Sequence, residues 1–166
     1  MKEEYPQREL SAQIIGAAMK VLNDLKPGLD EKIYENALVI ELVAQGHGVE
    51  QQRGFPVHYR GHLVGTLIPD ILVDGKIIVD PKVVAAFSDD HLAQMLGYVA
   101  ITDLELALLL NFRFAKLQWK RVIRSRPTMY SETATQIAQT GAMAKFLALE
   151  YVRPSASSAV RSVQNG

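Results

Sequence analysis

At 166 residues, 48% of them hydrophobic and 22% charged, the chain can bury a sizeable core as one soluble domain without disulfide or metal staples. Cysteine is absent, which excludes disulfide frameworks, thiolate zinc sites, iron–sulfur clusters and cysteine nucleophiles, and suits a reducing cytoplasm. Basic and acidic residues number 18 each, and zero net charge argues against a protein whose task is to coat nucleic acid.

In chain order, Met1 to Pro6 is charged and lacks the apolar stretch of a secretory signal. From Glu9 to Leu25 the residues Leu10, Ile14, Ala17, Ala18, Val21, Leu22 and Leu25 recur at helical spacing, and Pro27-Gly28 stops the helix, with Gly28 as its expected cap. A second helix is expected from about Asp30 to Gln45, burying Ile33, Ala37, Leu38, Ile40, Leu42 and Val43. Gly46 and Gly48 turn the chain into three strands, about Val49–Tyr59, Leu63–Val73 and Lys76–Val83. Arg60-Gly61-His62 and Asp74-Gly75 are the turns between them, giving an antiparallel meander.

Ser88, followed by Asp89 and Asp90, caps a third helix that runs to about Ile101. Leu104 to Phe112, apolar apart from Glu105 and Asn111, reads as a strand covered on both faces, and Ala115 to Ile123 alternates like an edge or half-exposed strand. The most apolar region, Met95 to Phe112, is interrupted by Asp103 and Glu105, so no membrane span of roughly 20 residues is expected. Ser131 to Tyr151 suggests a weak helix, and Pro154 to Gly166 a Ser-rich disordered tail. The order of elements is mixed α/β, with a meander leading into a strand–helix–strand crossover.

The chemistry concentrates on the hairpin around Asp74-Gly75. A strict two-residue loop would set Asp70 opposite Val79 and leave Asp80 on the other side of the sheet. A three-residue loop, with Gly75 or its neighbour left-handed, brings Asp70, Asp80 and Lys82 to one face, so an odd-length loop or a bulge is expected. Two convergent carboxylates suit a hard divalent cation such as Mg²⁺, and a lysine beside them can orient water or neutralise phosphoryl charge. The same residues also fit a surface ion pair. The segment Arg113, Lys116, Lys120, Arg121, Arg124 and Arg126 contains no acid and could track phosphates or form a solvated strand face.

Further motifs extend the pattern. Gly28-Leu29-Asp30-Glu31-Lys32-Ile33-Tyr34 fits Gly-x-x-Glu-x-x-Tyr, and Gln94-Met95-Leu96-Gly97-Tyr98 fits Gln-x-x-x-Tyr. With Pro69-Asp70 and Asp80-x-Lys82, in this order, they resemble the GxxExxY family of the PD-(D/E)XK nuclease superfamily over about Ser11 to Ile123. The resemblance implies an αβββαβ restriction-endonuclease-like core in residues 8–124, with an extra N-terminal helix and a C-terminal extension over 125–166. It implies Mg²⁺- or Mn²⁺-dependent hydrolysis of DNA or RNA phosphodiesters, with nucleic acid as the partner. Asp70 and Asp80 match the metal-binding acids, Glu31 the helical glutamate that assists them, and Lys82 the catalytic lysine. Gln94 and Tyr98 match the helix motif that borders the site. His91, three residues before Gln94, is either a substrate contact or a solvent-facing residue.

The chain departs from the family at Asp80, where glutamate is usual, and at Pro81, where an apolar residue is usual. Proline removes a ladder N–H and therefore requires an edge or bulge position. These departures keep open a second reading, a homologue that binds nucleic acid or protein without cleavage.

Overall fold

The computed structural model describes residues 5–124 and 152–154. Helix α1 (Arg8–Leu25) buries Ile14, Ile15, Ala17, Ala18, Val21 and Leu22 along one side. It ends at Lys26 (φ 65), whose N–H returns to the Leu22 carbonyl, rather than at Gly28. Pro27 explains the difference, because the residue before a proline is steered out of the α region. Gly28 (φ 109) makes the turn that follows.

Helix α2 (Glu31–Ala44) is rotated from the sequence expectation. It buries Tyr34, Glu35, Leu38 and Leu42, while Ile33, Ile40 and Val43 are 44%, 71% and 55% exposed. Apolar residues lie on nearly every side of this helix, so periodicity alone leaves its phase open. Tyr34 settles it. Its hydroxyl donates to the Lys26 carbonyl at 2.6 Å and accepts from Leu29 N–H at 3.2 Å, and its ring stacks on Phe112 at 4.8 Å. A large aromatic with a satisfied hydroxyl gains more from burial than an isoleucine.

The three expected strands are five. Val49–Tyr59 divides into β1 (Val49–Gln51) and β2 (Phe55–Tyr59), and Leu63–Val73 into β3 (His62–Leu67) and β4 (Ile71–Val73). Left-handed Gln52 (φ 52) ends β1, and its N–H bonds the Asp70 carbonyl at 3.0 Å. Among the described residues, strands β2 and β3 pair only with each other. The main sheet has the order β1-β4-β5-β6-β7-β8, with β5 (Ile77–Lys82), β6 (Leu106–Asn111), β7 (Gln118–Ile123) and β8 (Val152–Pro154). The β5–β6 pair is parallel, joined by α3 (Asp89–Thr102), and the other pairs are antiparallel. The path α2, β1, β4, β5, α3, β6 is the αβββαβ order, and the fold is mixed α/β.

Helices α1 and α2 cover one face of the sheet, on Ile71, Val73, Ile77, Val79, Leu106, Leu108 and Leu110. Helix α3 covers the other, placing Met95 and Val99 on Leu72, Ile78, Ala107, Leu109 and Val122. Strand β6 is buried at every position, as its apolar run over 106–110 requires. Strand β7 is not an edge: Val152–Pro154, assigned from sequence partly to a disordered tail, pairs with it opposite Lys120, Arg121 and Val122. The helix expected over 131–151 and the tail beyond Pro154 lie outside the described residues. Among the described residues, no helix is long and apolar enough to cross a membrane.

Tyr34→Phe keeps the stacked ring but strands the Lys26 carbonyl and Leu29 N–H. Urea unfolding is expected to show a loss of about 1–2 kcal/mol, and an unchanged midpoint would contradict this account of the helix phase.

Candidate active site

The hairpin meets the sequence expectation. Val73 pairs with Ile77, leaving Asp74-Gly75-Lys76 as a three-residue loop with Asp74 (φ 52) and Gly75 (φ 65) both left-handed. The loop is anchored from outside, because the Asp74 carboxylate accepts from Gly48 N–H at 2.7 Å and contacts His47 Nδ1 at 2.8 Å. Continuing the Ile71–Val79 pair one step outward sets Asp70 opposite Asp80. Both aspartates are two residues from positions on the α3 side of the sheet, Leu72 and Ile78, and share that side with Lys82.

Pro81 fits this arrangement without losing a ladder bond. The Lys82 carbonyl accepts from Phe112 N–H at 2.8 Å, so the backbone polar groups of Lys82 face β6 and those of Pro81 face the β4 side. On that side the ladder has already ended at Ile71–Val79. Proline therefore occupies the stretch of β5 where a missing N–H has no partner to lose.

Lys82 Nζ donates to Asp80 Oδ1 at 2.7 Å and lies 3.8 Å from Glu31 Oε1. Glu31 Oε2 accepts from Val83 N–H at 3.1 Å. Asp80 is 3% exposed, and its second oxygen, Oδ2, is buried with no hydrogen-bond donor. Burial pushes the Asp80 carboxyl up to about 7, aided by the Asp70 carboxyl within hydrogen-bonding reach and opposed by Lys82. Burial works against the Lys82 ammonium, yet Asp80, with Glu31 and Asp70 behind it, holds its pKa above the ordinary value. Tyr98 is raised by burial and by the charges of Asp80 and Asp70, so its phenol stays protonated beside them. Gln94 Nε2 donates to the Tyr98 hydroxyl at 3.2 Å.

The six sequence-selected residues thus fall into linked groups. Asp70, Asp80 and Lys82 gather together, Glu31 joins through Lys82, and Tyr98, bonded to Gln94, lies near enough to feel the charges of the two aspartates. No group of three or more His, Cys, Asp or Glu among the described residues is gathered tightly enough to hold a metal ion. Glu31 is directed to Val83 and Lys82 rather than to the aspartates. The Asp70–Asp80 pair nonetheless fits a hard divalent cation. It offers carboxylate oxygens, one of them buried and unsatisfied, at one edge of the core.

Asn111 carried no individual role in the sequence reading, yet it fixes the end of β5. Fully buried, it donates through Nδ2 to the Val84 carbonyl at 2.8 Å and accepts through Oδ1 from Val84 N–H at 3.1 Å. Its only sequence signal is a polar residue closing the run Leu108-Leu109-Leu110. His91 forms a capping box with Ser88: its Nδ1 accepts from Ser88 N–H at 3.0 Å, and its own N–H donates to Ser88 Oγ. The basic segment is divided among tasks. Arg121 bonds Ser11 Oγ at 3.2 Å and lies over the Tyr5 ring, and Arg124 pairs with Asp103. Arg113 and Lys116 are exposed in the loop leaving β6, at the end of the sheet where Lys82 pairs with Asn111.

Residues 8–122 match the model of the PD-(D/E)XK nuclease superfamily, and the chain belongs to that superfamily. No curated protein matches it. Among solved structures it is similar to the alkaline exonuclease LHK-Exo from Laribacter hongkongensis, with 13% identity and a TM-score of 0.40, over 81% of this chain and 86% of that one.

One prediction follows from the buried carboxyl. In metal-free buffer Asp80 is protonated in the folded protein up to about 7, whereas the free group ionises near 3.8. Its stabilising contribution is therefore full below the lower value and is lost as pH rises toward the higher one. Asp80→Asn should flatten this decline and be more stable than wild type at alkaline pH by on the order of 2 kcal/mol. Parallel pH profiles of the two proteins in urea would refute it.

Proposed function

We propose that the chain is a metal-dependent nuclease that hydrolyses phosphodiester bonds of DNA or RNA, using Mg²⁺ or Mn²⁺. The observation that carries this reading is the meeting of Asp70, Asp80 and Lys82 on one face, with Lys82 Nζ 2.7 Å from Asp80. Superfamily membership gives the reaction class, and the ordered motifs around Glu31, Tyr34, Gln94 and Tyr98 support placement in the GxxExxY family. Residues 8–124 are the proposed catalytic unit.

In this reading Asp70 and Asp80 hold the ion, which supplies polarisation of the phosphodiester and of a bound water. Lys82 supplies positive charge at the phosphoryl oxygens and orients water, in a site shielded enough to strengthen that charge. Glu31 steadies Lys82 and the backbone at Val83. Tyr98 presents a protonated phenol toward the phosphate, held by Gln94. Arg113 and Lys116 add positive charge at the same end of the sheet, where a strand backbone would lie.

A second reading, a homologue that binds without cleaving, draws on the ion pair itself. Lys82 occupies one oxygen of Asp80, and the near-neutral carboxyl must lose its proton before it can bind a cation.

Cleavage of mixed DNA and RNA substrates with Mn²⁺ separates the two. The nuclease reading expects Asp70→Ala and Lys82→Ala each to lower the rate at least about a hundredfold, with Pro81→Leu near wild type. Absence of cleavage beside intact nucleic-acid binding would favour the second reading. Metal binding has its own readout. At about 100 times Kd, Mn²⁺ should stabilise wild type by about 2.7 kcal/mol and Asp70→Ala by almost nothing. Equal stabilisation of both proteins would remove Asp70 from the metal site.

A further inference from the structure

The β2–β3 hairpin has no task in the site as described. Between Gln51 and Pro69 the chain carries no acid, while Arg53, His58, Arg60 and His62 all fall there. The hairpin is a two-stranded sheet of its own, yet its root is fixed to the site. The chain leaves the main sheet after Gln51, opposite Ile71, and returns at Asp70, where Gln52 N–H bonds the Asp70 carbonyl at 3.0 Å. Phe55 packs the root against the α3 side of the core, with the Arg53 guanidinium 5.2 Å over its ring.

Beyond that root the hairpin is exposed. Left-handed Arg60 (φ 48) and Gly61 (φ 81) form the turn, and Tyr59 pairs with His62, so these two side chains share one side. Tyr59 is 63% exposed, and the Arg60 guanidinium lies 5.5 Å over its ring. The register shifts past Val57, so Val64 is an extra residue that increases the twist of the hairpin. The tip thus combines an open aromatic face, a guanidinium already stacked on an aromatic, and an imidazole, with no carboxylate on the hairpin to compete for them.

We propose that this hairpin is a nucleic-acid-binding arm on which Tyr59, with Arg60, stacks an unpaired base of the strand whose backbone passes Asp70 and Asp80. The proposal rests on the nuclease reading for its substrate class. Every base offers a π-face and every nucleotide a negative phosphate, which is what a Tyr–Arg pair on an acid-free hairpin complements. The direct covalent path from the hairpin to Asp70 fixes the root of the arm beside that residue, with the tip at the far end of β3. An unpaired base is specified because stacking on Tyr59 needs a ring face that neighbouring base pairs would cover in a duplex.

The test uses the full chain and a fluorescein-labelled single-stranded oligonucleotide, with binding measured in EDTA and cleavage with Mn²⁺. Tyr59→Ala should weaken binding about tenfold, Tyr59→Phe should bind like wild type, and Arg60→Gln should reduce the slope of log affinity against log salt by about one. The effect of Tyr59→Ala should be smaller on the corresponding duplex. Unaltered thermal unfolding of Tyr59→Ala confirms that only the surface has changed. A Tyr59→Ala variant that binds the single strand like wild type overturns the proposal, and Leu63 and Val64 would then mark the arm as a protein-binding surface. A wild-type chain that binds no oligonucleotide overturns it as well. Tyr59-dependent binding without any cleavage upholds the arm and rejects the nuclease reading. Lys82-dependent cleavage with no Tyr59 effect does the reverse.

Discussion

The parity of the β4–β5 turn governs this molecule. Three residues between Val73 and Ile77, two of them left-handed, decide that Asp70 and Asp80 face each other rather than opposite sides of the sheet. The turn is not left to its own preferences. Asp74 is held by Gly48 N–H and His47 from the preceding loop, so the α2–β1 connection helps enforce the register on which the carboxylates depend. Burial works against that hydrogen bonding, yet the Asp74 carboxyl stays below its usual range because His47 and Gly48 outweigh it.

The same register creates a conflict at Asp80. A carboxylate with one oxygen on Lys82 and the other orphaned is poorly served by a protein interior. Such a group costs stability in the folded chain rather than adding to it. The surroundings are built to tolerate it. Glu31 and Asn111 hold the backbone of Val83 and Val84 in place, and Pro81 removes an N–H where the sheet offers no acceptor. The positions around the acid are therefore defined by hydrogen bonds that do not involve the acid.

Much of this was legible in the sequence because it depended on local chemistry. Glycine after aspartate indicated a left-handed turn, and the spacing of Asp70, Asp80 and Lys82 then required an odd loop. The α3 cap at Ser88 and the apolar run of β6 were equally local. The phase of α2 was not legible, since Ile33, Ile40 and Val43 compete as core residues until Tyr34 is seen against Phe112 and the Lys26 carbonyl. Those partners are distant in sequence or belong to the backbone. The division of two long strands into four also escaped. It turns on a left-handed Gln52 and on its bond to Asp70, neither of which leaves a mark in composition. Asn111 was hidden for the same reason: its partners include both main-chain polar groups of Val84.

Strand β8 has a practical implication. The family match ends at residue 122, within β7, and invites a shortened chain that stops soon after it. Such a chain would uncover the side of β7 that Val152–Pro154 now covers, exposing the backbone polar groups of Arg121 on a strand whose inner neighbour is wholly buried. Open edges of this kind recruit other chains. A truncated protein would then owe any self-association to the missing three-residue strand, and its behaviour in solution would not describe the full-length chain.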